Sequence, residues 1–139
     1  MPNQASDLAL HSTFRILDAN LNRLREGIRV IEDICRYVYD KKDFAYALKN
    51  LRHNARIKNH QALLKSRDSK NDVLKKTTQS ESKRENLRSI LLANFKRTQE
   101  SARTLEEILK LTSVKDSENF KNIRYELYNL EKEILLSLD

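Results

Sequence analysis

Gly27 and Pro2 are the only glycine and the only proline in a chain of 139 residues. Average usage would supply roughly 16 of the two together. β-Sandwiches and barrels need turn residues every ten or so positions, and these are missing. A Walker P-loop or a dinucleotide-binding fingerprint needs several glycines close together, and Gly27 stands alone. What remains is a chain that runs helix into helix through polar turns.

The apolar spacing agrees. Phe14, Leu17, Leu21, Leu24, Ile28, Ile31, Cys35 and Val38 recur at alternating steps of three and four. That is the seam of a long amphipathic helix, with Ser12 or Thr13 as its cap. Asp40-Lys41-Lys42-Asp43 reads as a turn. A second helix presents Phe44, Ala47, Leu48, Leu51, Ala55 and Ala62 and ends near Lys65. Residues 66–82 are a polar loop in which only Val73 and Leu74 are apolar. Helicity resumes near Lys83, with Leu87, Leu91, Phe95, Ala102, Leu105 and Leu109 in phase. After a turn at Lys115-Asp116-Ser117, a fourth helix carries Phe120, Ile123, Leu127, Leu130, Ile134 and Leu138.

The two halves repeat. Residues 19–34 align without gaps on residues 93–108, and seven of the 16 pairs are identical. Five of the seven are polar, which a heptad seam does not require. Lys49-Asn50-Leu51-Arg52-His53 aligns in turn with Lys121-Asn122-Ile123-Arg124-Tyr125. The expected fold is all-α: one domain over 1–139, a four-helix bundle of two repeated hairpins (12–65 and 83–138) about a pseudo-two-fold axis.

At 100° per residue, Asn20 and Gly27 point into the apolar face, Arg23 and Glu32 flank it, and Glu26 and Arg29 point away. Asn94, Ser101, Arg97 and Glu106 repeat this arrangement. A buried Asn in such a seam either fixes register or lines a polar pocket. In the pocket reading Asn20 and Asn94 line it together, with Arg23 and Arg97 at the rim. Glu26, Arg29, Glu100 and Arg103 read as solvated i,i+3 pairs. In the loop, Asp68 and Asp72 stand four apart beside Arg67 and Lys70. That pattern can hold Mg²⁺ and a phosphate together, or it is a solvated linker. Cys35 sits in the seam as a packed thiol, core packing is expected of Tyr125 and Tyr128, and His53 is placed at the hairpin interface.

The formal net charge of +7 favours an anionic partner. One cysteine excludes an internal disulfide and a Cys-cluster zinc site. With no apolar leader and no run of roughly 18 apolar residues, a cytoplasmic protein without membrane contact is expected. A basic nucleic-acid-binding module is an alternative function, disfavoured by interleaved acids and the lack of an aromatic stacking stripe.

Several stretches together resemble the small, all-helical hydroxymethylpyrimidine phosphate kinase family of bacterial thiamine biosynthesis. They are Arg15-Ile16-Leu17-Asp18-Ala19-Asn20, Arg25-Glu26-Gly27-Ile28-Arg29-Val30-Ile31-Glu32, Leu51-Arg52, Arg67-Asp68, Asp72, Glu81, Arg84 and Ala93-Asn94-Phe95. They continue through Arg97, Gln99-Glu100, Ala102-Arg103, Leu105-Glu106-Glu107, Arg124-Tyr125 and Tyr128. Members of that family stand alone or are fused to the N-terminus of thiamine phosphate synthase. The resemblance implies ATP-dependent phosphorylation of hydroxymethylpyrimidine monophosphate to the diphosphate, with ATP as co-substrate and Mg²⁺. Arg67, Asp68 and Arg97 would be catalytic. Asn20, Arg23, Arg84 and Asn94 would bind substrate and phosphate, and Asp68 and Asp72 the metal. Thiamine phosphate synthase is the expected protein partner, a non-catalytic accessory to it is the alternative role, and a homo-oligomer is left open. The central loop departs from the family. Ser69-Lys70-Asn71 replaces Thr-Pro-Gly, and Leu74 stands where Gly is expected. Without those glycines, phosphate handling falls on side chains and helix ends.

Overall fold

A computed structural model of the chain describes residues 4–79 and 81–138, with side chains from Ser12 onward. Pro2, Ser80 and the side chain of His11 lie outside these described residues. Among the described residues, five α-helices carry the fold: α1 (Gln4–Asp33), α2 (Lys42–Asn54), α3 (His60–Ser66), α4 (Leu87–Leu109) and α5 (Val114–Ser137). A π-helical turn, Ile34–Val38, follows α1, and a 3₁₀ turn, Ser69–Asn71, follows α3. No strand occurs among the described residues. α1 and α4 pack on each other as the central pair. α2 and α3 lie against α1, and α5 lies against α4. The seam residues form one core, in which Leu24, Ile28, Ile31, Leu91, Phe95, Leu105, Phe120 and Leu127 are fully buried.

The boundaries differ from expectation for physical reasons. Ser12 and Thr13 lie inside α1, because the strong helix formers of Gln4–Leu10 extend it upstream. α4 starts at Leu87 rather than near Lys83, where Asn86 and Ser89 form a reciprocal capping box. The turn before α5 spans 110–113, and Lys115-Asp116-Ser117 is already helical. Ser113 Oγ accepts from the Asp116 N–H (3.2 Å) and caps that helix.

The second expected helix is broken between Asn54 and His60. In the second copy the seam continues through Leu130, buried at 7% exposure. The aligned position in the first copy is Lys58, flanked by the weak helix formers Asn54 and Asn59. A charge in the seam cannot be buried against α1, so the rod bends. Asn119 Nδ2 donates to the freed Asn54 carbonyl at 3.1 Å.

The repeat is visible in the packing. Arg52 Nε donates to Glu32 at 2.9 Å between α2 and α1. Arg124 Nη2 donates to Glu106 at 2.9 Å between α5 and α4. Glu32 and Glu106 are therefore buried, at 2% and 5% exposure, rather than flanking the seam. Arg29 and Arg103 pair forward with Asp33 (3.1 Å) and Glu107 (3.1 Å), not with Glu26 and Glu100. Gly27 lies at a close approach of α1 to α4. A Cβ there would stand 2.6 Å from Thr98 Cγ2 and 3.8 Å from Asn94 Oδ1.

Candidate functional site

The bend after α2 lays α3 back along α1 and delivers the next residues, Arg67 to Asp72, to the α1 surface. Between them lies a cleft of about 540 Å³. From α1 it is lined by Arg15, Asp18, Asn20 and Arg23, and from the loop by Arg67, Asp68 and Asp72. Five of the expected site residues thus converge: Asn20, Arg23, Arg67, Asp68 and Asp72.

Asp18 holds this arrangement together. It is 6% exposed and accepts both Arg67 Nε (2.8 Å) and Nη2 (2.9 Å), a fork-on-fork pair. Those hydrogen bonds push the Arg67 pKa above its ordinary value. Arg67 is therefore a joint between α1 and the loop, with Nη1 left over for a ligand. Arg15 and Arg23 are exposed and have no acidic partner among the described residues. They are the free cations of the cleft.

Asn20 donates through Nδ2 to the Ile16 carbonyl (2.9 Å), and Asn94 does the same to Ile90 (2.8 Å). Neither amide donates across the seam, so neither fixes register by a bond to the opposing helix. With Nδ2 tied down, Asn20 keeps Oδ1 as an acceptor at the cleft wall.

Three expected residues lie elsewhere. Asn94 sits beside Gly27 at the α1–α4 contact. Arg97 is exposed on α4 outside the cleft. Arg84 donates to the carbonyls of Glu81 (3.3 Å) and Lys83 (2.8 Å), in its own segment. The reason is the asymmetry of the repeat. The position matching Asp18 is Leu92, and no loop is fastened there. Tyr125 and Tyr128 are exposed rather than packed in the core, edge to face at 6.2 Å, and His53 is exposed. Cys35 is buried, and burial pushes its thiol pKa up to about 11.

Asp68 accepts from Asn71 Nδ2 through both oxygens (2.9 and 3.1 Å). Asp72 accepts from the Leu74 N–H through Oδ1 alone (3.0 Å). Both carboxylates are exposed. No group of three or more His, Cys, Asp or Glu that could hold a metal occurs among the described residues. With Asp18 taken up by Arg67, the two remaining carboxylates suit Mg²⁺ that keeps waters and shares a substrate's phosphates, rather than a closed protein cage. Three arginines face three aspartates here, so the cleft by itself offers a phosphate no net positive charge.

Among the described residues no helix is long and apolar enough to cross a membrane. Curated relatives named thiamine-phosphate synthase match the chain. The one from Synechocystis sp. is 39% identical over 133 residues, covering 95% of this chain and 38% of the relative. That from Prochlorococcus marinus is 39% identical over 122 residues, covering 87% and 35%. That from Nostoc punctiforme is 37% identical over 123 residues, covering 88% and 35%. The chain thus spans little more than a third of the length of these relatives. No solved structure matches it at a significant level. Residues 15–133, which hold both the α1 wall and the loop of the cleft, match the model of the ThiD2 family, and the chain belongs to that family.

Proposed function

We propose that the chain transfers the terminal phosphoryl group of ATP to the phosphate of hydroxymethylpyrimidine monophosphate, and that the diphosphate formed feeds thiamine-phosphate synthase. The observation that carries this reading is the convergence of Asn20, Arg15, Arg23, Arg67, Asp68 and Asp72 on one cleft. Its place in thiamine biosynthesis rests on the family and on the names of the relatives.

The chemistry suits a cleft without a P-loop. Phosphoryl transfer asks a protein mainly for positioning and charge neutralisation. A P–O bond of ATP breaks, a P–O bond to an acceptor phosphate oxygen forms, and ADP leaves. The acceptor oxygen is already largely ionised near neutral pH, so no strong general base is needed. Arg15 and Arg23 bind the phosphates. Asp18 keeps Arg67 aimed along the cleft, where Nη1 meets a phosphate oxygen. Asn20 Oδ1 accepts from the exocyclic amine of the pyrimidine. Mg²⁺, when bound, supplies the positive charge that the balanced arginines and aspartates lack, and Asp68 and Asp72 would hold it.

A second reading has its own support. The loop lacks the glycines of the family pattern, which favours a non-catalytic accessory of thiamine-phosphate synthase. One assay separates the two. ATP, hydroxymethylpyrimidine monophosphate and Mg²⁺ are incubated with the chain, and product is detected through added synthase. Product formation supports the kinase. A folded chain that binds the synthase and consumes no ATP supports the accessory.

A further inference from the structure

The positive charge of the chain is concentrated. Residues 34–60 hold seven lysines and arginines against two aspartates, whereas 87–139 hold nine of each sign. Arg36, Lys41, Lys42 and Lys49 of this surplus fall at or near the corner where α1 turns into α2. A cleft of about 340 Å³ opens there, with Arg36, Lys42 and Lys49 around it. None of the three has a carboxylate partner among the described residues. Glu32 reaches the same cleft, but Arg52 already neutralises it at 2.9 Å. Asp40 is left as the only unpaired acid against three cations. Tyr46 lines the cleft and is 66% exposed as a residue, and Arg36 lies over the neighbouring Tyr37 ring at 4.9 Å.

The other half of the repeat is an internal control. Its matching corner joins α4 to α5. There Lys110 is paired with Glu107 at 2.7 Å, Ser113 caps the helix, and Glu118 occupies the position of Tyr46. Lys115 and Lys121 there have no carboxylate partner among the described residues either, but the turn is made without an exposed ring or an open helix start. At the first corner, α2 has no side-chain cap. The turn into it is π-helical, with Asp40 at φ 50°, and π-turns recur at functional sites. Unpaired like charges held close together repel one another, and a bound anion relieves this.

We propose that this corner binds a phosphorylated aromatic metabolite of nucleotide size. Its phosphate sits among Arg36, Lys42 and Lys49, and its ring lies on Tyr46. Sixteen residues of helix separate Arg36 from Asn20, roughly 24 Å along the axis. That is too far for transfer between the two clefts, so this is a second site, independent of the proposed phosphoryl transfer.

The test is titration of the full chain with ADP and, separately, with inorganic phosphate, followed by the amide chemical shifts of Lys42, Tyr46 and Lys49. Saturable shifts at the corner are expected with both. Lys42→Ala combined with Lys49→Ala should weaken both ligands there by roughly tenfold or more. Tyr46→Ala should weaken ADP and leave inorganic phosphate unchanged. These side chains are exposed, so the variants keep their fold, which circular dichroism verifies. Saturation unchanged in the double variant overturns the site, as does an absence of saturable shifts. Shifts produced by duplex DNA but by neither small anion make the corner a nucleic-acid contact, which also overturns it.

Discussion

Asp18 and Arg67, 49 positions apart, meet through two hydrogen bonds of 2.8 and 2.9 Å. That pair sets where the loop begins relative to α1, and so where Asp68 and Asp72 stand. Asp18→Asn keeps the shape but turns an NH₂ donor toward guanidinium donors. Turnover in the coupled assay should fall by roughly tenfold or more, with the bundle's thermal midpoint little changed because the loop is exposed. Wild-type turnover in this variant would remove Asp18 from the site.

The cleft also separates residues that the repeat makes look equivalent. Asp68→Ala should lower turnover by about a hundredfold or more and raise the Mg²⁺ concentration needed for half-maximal rate. Arg97→Ala and Arg84→Ala should leave turnover near normal, since neither side chain reaches the cleft. Loss of activity in Arg97→Ala would place the reacting groups on α4 instead.

Gly27→Ala should destabilise the bundle despite alanine's better helix propensity. The new Cβ would stand 2.6 Å from Thr98 Cγ2, on a stiff β-branched side chain that is fully buried. Overpacking of this kind costs about 1–3 kcal/mol against a propensity gain of about 1 kcal/mol. Thr98→Ser deletes that methyl, so urea unfolding should find the double variant more stable than Gly27→Ala alone.

Removing one partner of a buried ion pair is more damaging than replacing both. Glu106→Ala leaves the Arg124 guanidinium, 12% exposed, without its anion, and should cost about 3–5 kcal/mol. Changing Glu106 and Arg124 together to methionine should recover most of that loss in the same denaturation measurement. The matched pair Glu32 and Arg52 should behave alike.

The Cys35 thiol is raised from 9.0 to about 11 by burial, so the folded state favours the neutral form. Its contribution to stability is complete below pH 9. It is lost as pH rises toward 11, because the unfolded chain ionises first. Unfolding curves should therefore shift downward across that window, and Cys35→Ala should lessen the shift. A thiol-reactive reagent at pH 8 should label Cys35 only on unfolding.

The seams, the hairpin repeat and most of the cleft were legible because each leaves a local signature. Leu24 and Phe95 follow a period, and Arg52 and Arg124 fall at matched places in an alignment. Asp18 left none. At 100° per residue it lies about 160° around α1 from Asn20, on a face that the seam leaves wet. It is buried only because α3 and the loop fold over it, a tertiary event decided some 40 residues later in the chain. Arg97 lies outside the cleft for the opposite reason. Its sequence context matches that of Arg23, but the loop that makes Arg23 part of a cleft exists once. Tyr125 and Tyr128 misled because aromatic residues at helical spacing resemble a core face whichever way that face points.

The bend between Asn54 and His60 has a further consequence. A doubled unit with two unbroken rods would present two like surfaces, and any ligand gripped by one would meet its equal on the other. With Lys58 where the second copy has Leu130, one half gives up helix and gains a hand, while the other keeps its rod and serves as the wrist. The molecule thereby has a front and a back. The front carries the cleft, and the back does not.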